Sequence, residues 1–211
     1  MNIPSLTEQK FQKLALKLAR IGRTRPEIGE TDIDRVLRNL IGRSLLCLPL
    51  LADNRPLLDL GGGVGIPGLP LALARDELTV LSVEPRSSCQ GIVRWLLKDL
   101  PNEINFQPVE SRLEEFDPPP PPLQATSRAA LSWPHLIEHL PETTEPIIRW
   151  SAPDKTPELA VPRKYLLRIT VSHFDLQQVF TWLGSPELFH VKQNDWQEES
   201  AIEIDLLQEP A

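Results

Sequence analysis

Residues 57–68 read Leu-Leu-Asp-Leu-Gly-Gly-Gly-Val-Gly-Ile-Pro-Gly, and no other segment limits the fold of this chain as much. The apolar run 56–60 that leads into them has the character of a parallel strand buried on both faces. Glycines at 61, 63 and 65 let the backbone turn sharply and leave room for a flat ligand, at the strand end where open α/β sheets bind. A dinucleotide fingerprint sets its third glycine one residue later and aims a helix at a pyrophosphate. Here the spacing is G-x-G-x-G and Asp59 precedes it, which suits a ligand carrying positive charge.

The flanking sequence continues the same theme. A helix is expected over 69–74, a strand over 78–83, a helix over 91–100 and a strand over 104–109, an alternation that predicts a doubly wound, mostly parallel α/β sheet. A fourth strand is expected over 123–126, a helix over 132–140, and strands over 146–150 and 165–171. Leu176, Val179, Phe180 and Leu183 keep helical spacing, and 188–193 with 201–207 read as an antiparallel end hairpin. Ahead of the sheet, Ser5-Leu6-Thr7-Glu8 reads as a capping box for a helix carrying Phe11, Leu14, Ala15 and Leu18. Asp32 opens a second helix with Ile33, Val36, Leu37, Leu40, Ile41 and Leu45 on one face. Two parts follow, an N-terminal helical extension over 1–50 and a ligand-binding domain over 51–211. Five consecutive prolines at 118–122 read as an extended surface spacer.

Net charge is −7, unevenly spread. Residues 1–43 hold nine Lys and Arg (Lys10, Lys13, Lys17, Arg20, Arg23, Arg25, Arg35, Arg38 and Arg43) against five acids, whereas the remainder holds 13 against 24. Such a local basic patch can meet phosphates although the whole is acidic; a solvated helix face is the plain alternative. No run of about 18 uncharged apolar residues occurs, and the opening residues lack the regions of a secretory signal, so a soluble cytoplasmic protein with no membrane partner is expected. Cys47 and Cys89 stand in no metal-ligand spacing and read as passive thiols.

Glu84 falls at the end of the second strand. A carboxylate there accepts both ribose hydroxyls of an adenosine, and a hydrogen bond to a charged group is worth about 1.5–3 kcal/mol. His135-Leu136-Ile137-Glu138-His139 matches the H-x-x-E-H zinc pattern, but no third ligand is apparent in the sequence and Ser132 with Pro134 makes an ordinary helix start, so no metal is expected. Trp95, Trp133, Trp150, Trp182 and Trp196 fall in separate elements and read as core or surface anchors rather than a base-stacking platform.

Residues 59–71, Asp-Leu-Gly-Gly-Gly-Val-Gly-Ile-Pro-Gly-Leu-Pro-Leu, resemble the first motif of the GidB (RsmG) family, bacterial methyltransferases acting on guanine N7 of small-subunit (16S) ribosomal RNA. Residues 107–116, QPVESRLEEF, and Thr126-Ser127-Arg128-Ala129 resemble two further family segments in the family's order. The resemblance spans about residues 35–140. It implies a class I methyltransferase fold, S-adenosylmethionine (AdoMet) as cofactor and ribosomal RNA as partner; a monomer is expected, although the sequence itself does not choose the oligomeric state. The cofactor set it implies, with the glycine loop, is Asp59, Gly61, Gly63, Gly65, Ile66, Glu84 for the ribose, Leu113 and Glu114 against the adenine, and Arg128. Arg128 is also the expected catalytic residue, since a guanidinium after the fourth strand faces the site and orients a base or phosphate as a planar fork.

The chain departs from the family where a Lys-Arg pair usually follows the ribose acid: it reads Arg86-Ser87-Ser88-Cys89-Gln90. A Lys-Gly at the end of the fifth strand is also missing, whether that end lies at Trp150-Ser151 or at Val171-Ser172. Those losses motivate a reading from another class, a diverged and catalytically weak or inactive AdoMet-binding protein that serves as a binding or assembly component.

Overall fold

The computed structural model describes residues 4–25, 28–100, 104–128, 131–150, 165–185 and 200–208. Helix α1 (Gln9–Gly22) buries Phe11, Leu14, Ala15 and Leu18 along one face, as its periodicity predicts. The capping box does not form: the Ser5 hydroxyl receives the Thr7 N–H, and Glu8 stands at the helix N-cap with no side-chain bond. A short turn before the helix has taken up the serine instead. Asp32 does cap α2 (Ile33–Arg35), accepting the Arg35 N–H at 3.0 Å.

That helix passes into a π-helical turn, Val36–Gly42, and leaves it as α3 (Arg43–Leu45). π turns are rare and concentrate at functional sites. The wider turn keeps Val36, Leu37, Leu40 and Ile41 buried.

Eight strands among the described residues form one sheet: β1 (Leu57–Leu60), β2 (Val80–Val83), β3 (Phe106–Val109), β4 (Leu123–Ser127), β5 (Thr144–Trp150), β6 (Tyr165–His173), β7 (Leu176–Gly184) and β8 (Ser200–Gln208). Their order is β3-β2-β1-β4-β5-β7-β6-β8. The first five run parallel, β7 runs antiparallel between β5 and β6, and β8 lies antiparallel on the outer side of β6. With α4 (Gly68–Ala74), α5 (Ser87–Leu97) and α6 (Trp133–His139), this is the doubly wound, mostly parallel arrangement of class I methyltransferases.

Alternation along the strands divides the core in two. Leu57, Val80, Ile148, Phe180 and Trp182 join the side chains of α1, the π turn and α4 on one face, whereas Leu58, Leu60, Val83, Ala125, Ile147 and Leu183 meet Trp133 and Leu136 of α6 on the other. Residues on both sides of position 50 therefore share one hydrophobic cluster. Among the described residues no helix is long and apolar enough to cross a membrane.

One expectation fails at the C-terminal side. Leu176, Val179, Phe180 and Leu183 lie on strand β7, not on a helix. Phe180 and Trp182 enter one half of the core and Leu183 the other, and a strand covered on both faces shows apolar residues at positions that imitate helical spacing. Residues 201–207 do form a strand, which pairs with β6; the other half of the expected hairpin, 188–193, and Trp196 lie outside the described residues. The fifth strand is Thr144–Trp150, so the family's Lys-Gly position falls at Trp150-Ser151.

Candidate active site at the glycine loop

The loop after β1 is shaped by what lies beneath it. Gly61, Gly63 and Gly65 have φ of 71°, 55° and 89°, a left-handed region open to glycine. Gly61 N–H donates to the Val83 carbonyl at 2.8 Å, and Gly65 and Ile66 N–H both reach back to the Gly62 carbonyl. Gly62 admits no side chain, because a Cβ there would sit 2.1 Å from Ser82 Oγ and 2.6 Å from Asp59 Oδ2.

Asp59 is the internal support of this turn. Fully buried, it accepts the Gly68 N–H at 3.1 Å and the Ser82 hydroxyl at 3.2 Å, which joins the end of β1 to the start of α4 and to β2. Burial pushes its carboxyl up to about 7, against the two hydrogen bonds that pull it down. Its second oxygen has no hydrogen-bond partner among the described residues, and neither has Ser127 Oγ at the end of β4.

Glu84 stands where β2 ends, with 3% of its surface exposed. Its Oε2 accepts the Gly63 N–H at 3.1 Å and its Oε1 accepts the Arg86 N–H at 3.0 Å. Burial raises the carboxyl pKa, but the hydrogen bonds and charge of Arg86, with the Gly63 N–H, outweigh it and leave the group below the ordinary carboxylate range.

Above the loop is a cavity of about 250 Å³ lined by Ile28, Leu40, Gly61, Gly62, Gly63, Val64, Ile66 and Arg128. Arg128 follows β4 and makes no hydrogen bond or ion pair among the described residues. Burial and the neighbouring Arg43 guanidinium lower its pKa, while Asp59 acts in the opposite sense.

Of the residues singled out from sequence, Gly61, Gly63, Ile66 and Arg128 meet at the cavity, and Glu84 is tied to them through the Gly63 N–H. Asp59 and Gly65 build the turn from below. Leu113 is buried in the second core cluster, and the Glu114 carboxylate is 3.1 Å from His135 Nε2, so neither lines the cavity. Ile28, Leu40, Arg43 and Arg86 were missed. Arg86 carried a signal, a guanidinium two residues beyond the ribose acid; Leu40 carried none because it reads as the core face of a helix, and Ile28 none because it lies in the break between the two helices.

The basic patch is only partly free. Lys10 pairs with Glu8, Lys17 with Asp99 while lying over Trp95, and Arg38 with Asp175 at the β6–β7 turn. The side chains of Lys13, Arg20, Arg23, Arg35 and Arg43 are exposed and make no hydrogen bond or ion pair among the described residues.

Comparison with known proteins agrees with this architecture. The model of GidB, described as rRNA small subunit methyltransferase G, matches residues 7–152. Proteins named ribosomal RNA small subunit methyltransferase G are similar to the chain. That of Acidothermus cellulolyticus is 31% identical over 130 residues (61% of this chain, 57% of the relative), and that of Mycolicibacterium paratuberculosis 36% over 145 residues (65% and 54%). That of an Azoarcus species is 38% identical over 95 residues, 45% and 44% of the two chains. The chain thus spans about half the length of the curated relatives it matches. With the family model covering most of the sequence and its first motif forming the loop of the cavity, the chain belongs to the GidB family, the small-subunit ribosomal RNA methyltransferases G.

Proposed function

We propose that this chain transfers the methyl group of AdoMet to N7 of a guanine in small-subunit ribosomal RNA. The observation that carries the reading is the convergence of the bare glycine turn, the Glu84 carboxylate and the Arg128 guanidinium, which has no ion pair among the described residues, around one cavity. The residues present fit AdoMet: Gly61 and Gly63 present backbone without side chains, and a buried acid stands ready for ribose hydroxyls.

When bound, AdoMet supplies an electrophilic methyl on a sulfonium. Guanine N7 has a lone pair and no proton, so the protein needs no general base, and positioning with exclusion of water provides the catalysis. Ile28, Leu40 and Ile66 supply apolar walls that keep water away. Glu84, held ionised by Arg86, receives the ribose. Arg128 orients the incoming base or its phosphate, and the buried Asp59 offsets the positive charge that gathers there. The exposed Lys and Arg of the N-terminal helices contact the RNA backbone.

The test incubates deproteinised ribosomal RNA, and separately small subunits from a methyl-deficient strain, with labelled AdoMet and maps N7-methylguanine. Arg128→Ala lowers the rate by about tenfold or more, the scale of one charge-assisted hydrogen bond, with the fold unchanged. AdoMet binding without methylation of either substrate would replace this reading with that of a binding or assembly component.

A further inference from the structure

The sequence shows two histidines four residues apart and stops there; the folded chain brings a carboxylate to them. Ser132 caps α6, accepting the His135 N–H, and the first turn carries Pro134, so His135 and His139 fall one turn apart on the same side of the helix. Their ring centroids are 4.5 Å apart. From the 3₁₀ turn Leu113–Glu115, Glu114 reaches across to within 3.1 Å of His135 Nε2. The ligand atoms of all three side chains lie within 4.8 Å of one another.

We propose that His135, His139 and Glu114 form a binding site for a divalent transition metal, Zn²⁺ being the ion their chemistry suits. Two imidazoles and one carboxylate are a borderline nitrogen and oxygen donor set, and three protein ligands leave a fourth position to water. Glu114 is exposed and the two histidines are half-buried, so the ion reaches them from solvent. An ion pair between Glu114 and His135 accounts for one of these contacts but not for His139 at the same point. Glu138, the acid inside the H-x-x-E-H pattern, is not part of the cluster. The third ligand, which the sequence pattern does not show, is thus brought to the histidines by the fold from 24 positions before Glu138.

The location gives the site a consequence, which rests on the AdoMet reading above. By the family resemblance Leu113 and Glu114 belong to the segment set against the adenine, although neither lines the glycine-loop cavity itself, and α6 is anchored in the core through Trp133 and Leu136. A metal joining Glu114 to α6 pins the adenine edge in the position it already occupies. Metal and AdoMet therefore strengthen each other's binding, and by linkage the factor is the same in both directions.

The test is calorimetry of the full chain, stripped of metal with a chelator, against Zn²⁺, repeated with Co²⁺ and read by its visible absorption. One site per chain is expected. His135→Ala, His139→Ala and Glu114→Gln each weaken it by at least about tenfold, the loss that even outer partners of a metal site produce. Glu138→Ala leaves it unchanged, and circular dichroism of each variant shows the helix retained. Absence of a site in the wild-type chain, or binding that His139→Ala and Glu114→Gln do not alter, overturns the proposal. Saturating Zn²⁺ should then tighten AdoMet. A metal site that leaves AdoMet affinity unchanged removes the coupling, whereas one found in a chain that binds no AdoMet upholds the site and removes the cofactor reading instead.

Discussion

Arg86 lies side-on to Glu84, its Nε 2.7 Å from Oε1 and its Nη2 3.3 Å from Oε2, so the acid proposed to hold the ribose is gripped before any ligand arrives. The guanidinium is more than half exposed while the carboxylate is almost entirely covered. The grip holds the acid ionised and fixes its direction, and a ribose has to share it.

Glu84→Ala should weaken AdoMet about 10- to 150-fold, since hydrogen bonds to a charged group are worth about 1.5–3 kcal/mol. Arg86→Ala should act mainly through pH. Arg86 holds the Glu84 pKa down, so its loss raises that pKa and moves the acid-side loss of AdoMet binding to higher pH. Calorimetry at a series of pH values decides the matter, and superimposable profiles for wild type and Arg86→Ala would falsify the role given to Arg86.

Gly62 and Gly63 are neighbours with different reasons for being glycine. Gly62→Ala drives a Cβ against Ser82 and Asp59 and should lower stability by about 1–3 kcal/mol, read as a drop in Tm. At Gly63 the nearest atom to a new Cβ is Arg86 Nη2 at 3.9 Å, so there is space, but φ is +55°. Gly63→Val carries backbone strain of about 1–3 kcal/mol and places a branched side chain in the ligand groove. It should fold and lose AdoMet binding; retention of full affinity would remove the loop from the site.

Asp59 makes stability fall as pH rises. Its folded pKa of about 7 lies above the ordinary 3.8, so the folded chain holds a proton that the unfolded chain releases. That contribution is fully present below the unfolded pKa and is lost as pH rises through the folded one. Asp59→Asn cannot ionise and keeps an oxygen for Gly68 and Ser82. Its Tm relative to wild type should rise between about pH 5 and about pH 8. A difference that stays flat across that range sinks the argument.

Charge reversal at Arg35 and Arg43 should flatten the dependence of RNA affinity on salt, each lost phosphate contact removing roughly 0.7–0.9 from the log-log slope. Arg38 is the comparison, because its guanidinium is already paired with Asp175. A slope as steep in the double variant as in wild type leaves the helix face merely solvated.

The strands from β1 to β4 were readable from the punctuation beside them, glycines after Leu60, an acid after Val83 and prolines before Leu123, whereas α5 starts at Ser87, four residues before its expected start. β7 was not readable, because Leu176, Val179, Phe180 and Leu183 satisfy a helix and a doubly covered strand equally, and only pairing with β5 and β6 decides between them. At the site, Gly61, Gly63, Ile66, Glu84 and Arg128 were legible from motif and strand end. Leu40 reaches the cavity from the π turn, and Glu114 meets His135 across the fold. Both relations depend on contacts distant in sequence, which no local pattern carries.

The outermost strand has a bearing on how copies of this chain meet. Among the described residues β8 has no partner beyond β6, so one row of its backbone N–H and C=O groups is unclaimed there, and Ile204 and Leu206 on it are 39% and 51% exposed, features that invite a second strand to dock. Glu203 and Asp205 flank Ile204. Should two copies lay β8 against β8 antiparallel about Ile204, each Glu203 would stand directly opposite the other copy's Asp205, and like charges opposite one another destabilise a strand pair. The edge that looks most open to fibre-like growth thus carries its own repulsion, and neutralising those two acids would release it.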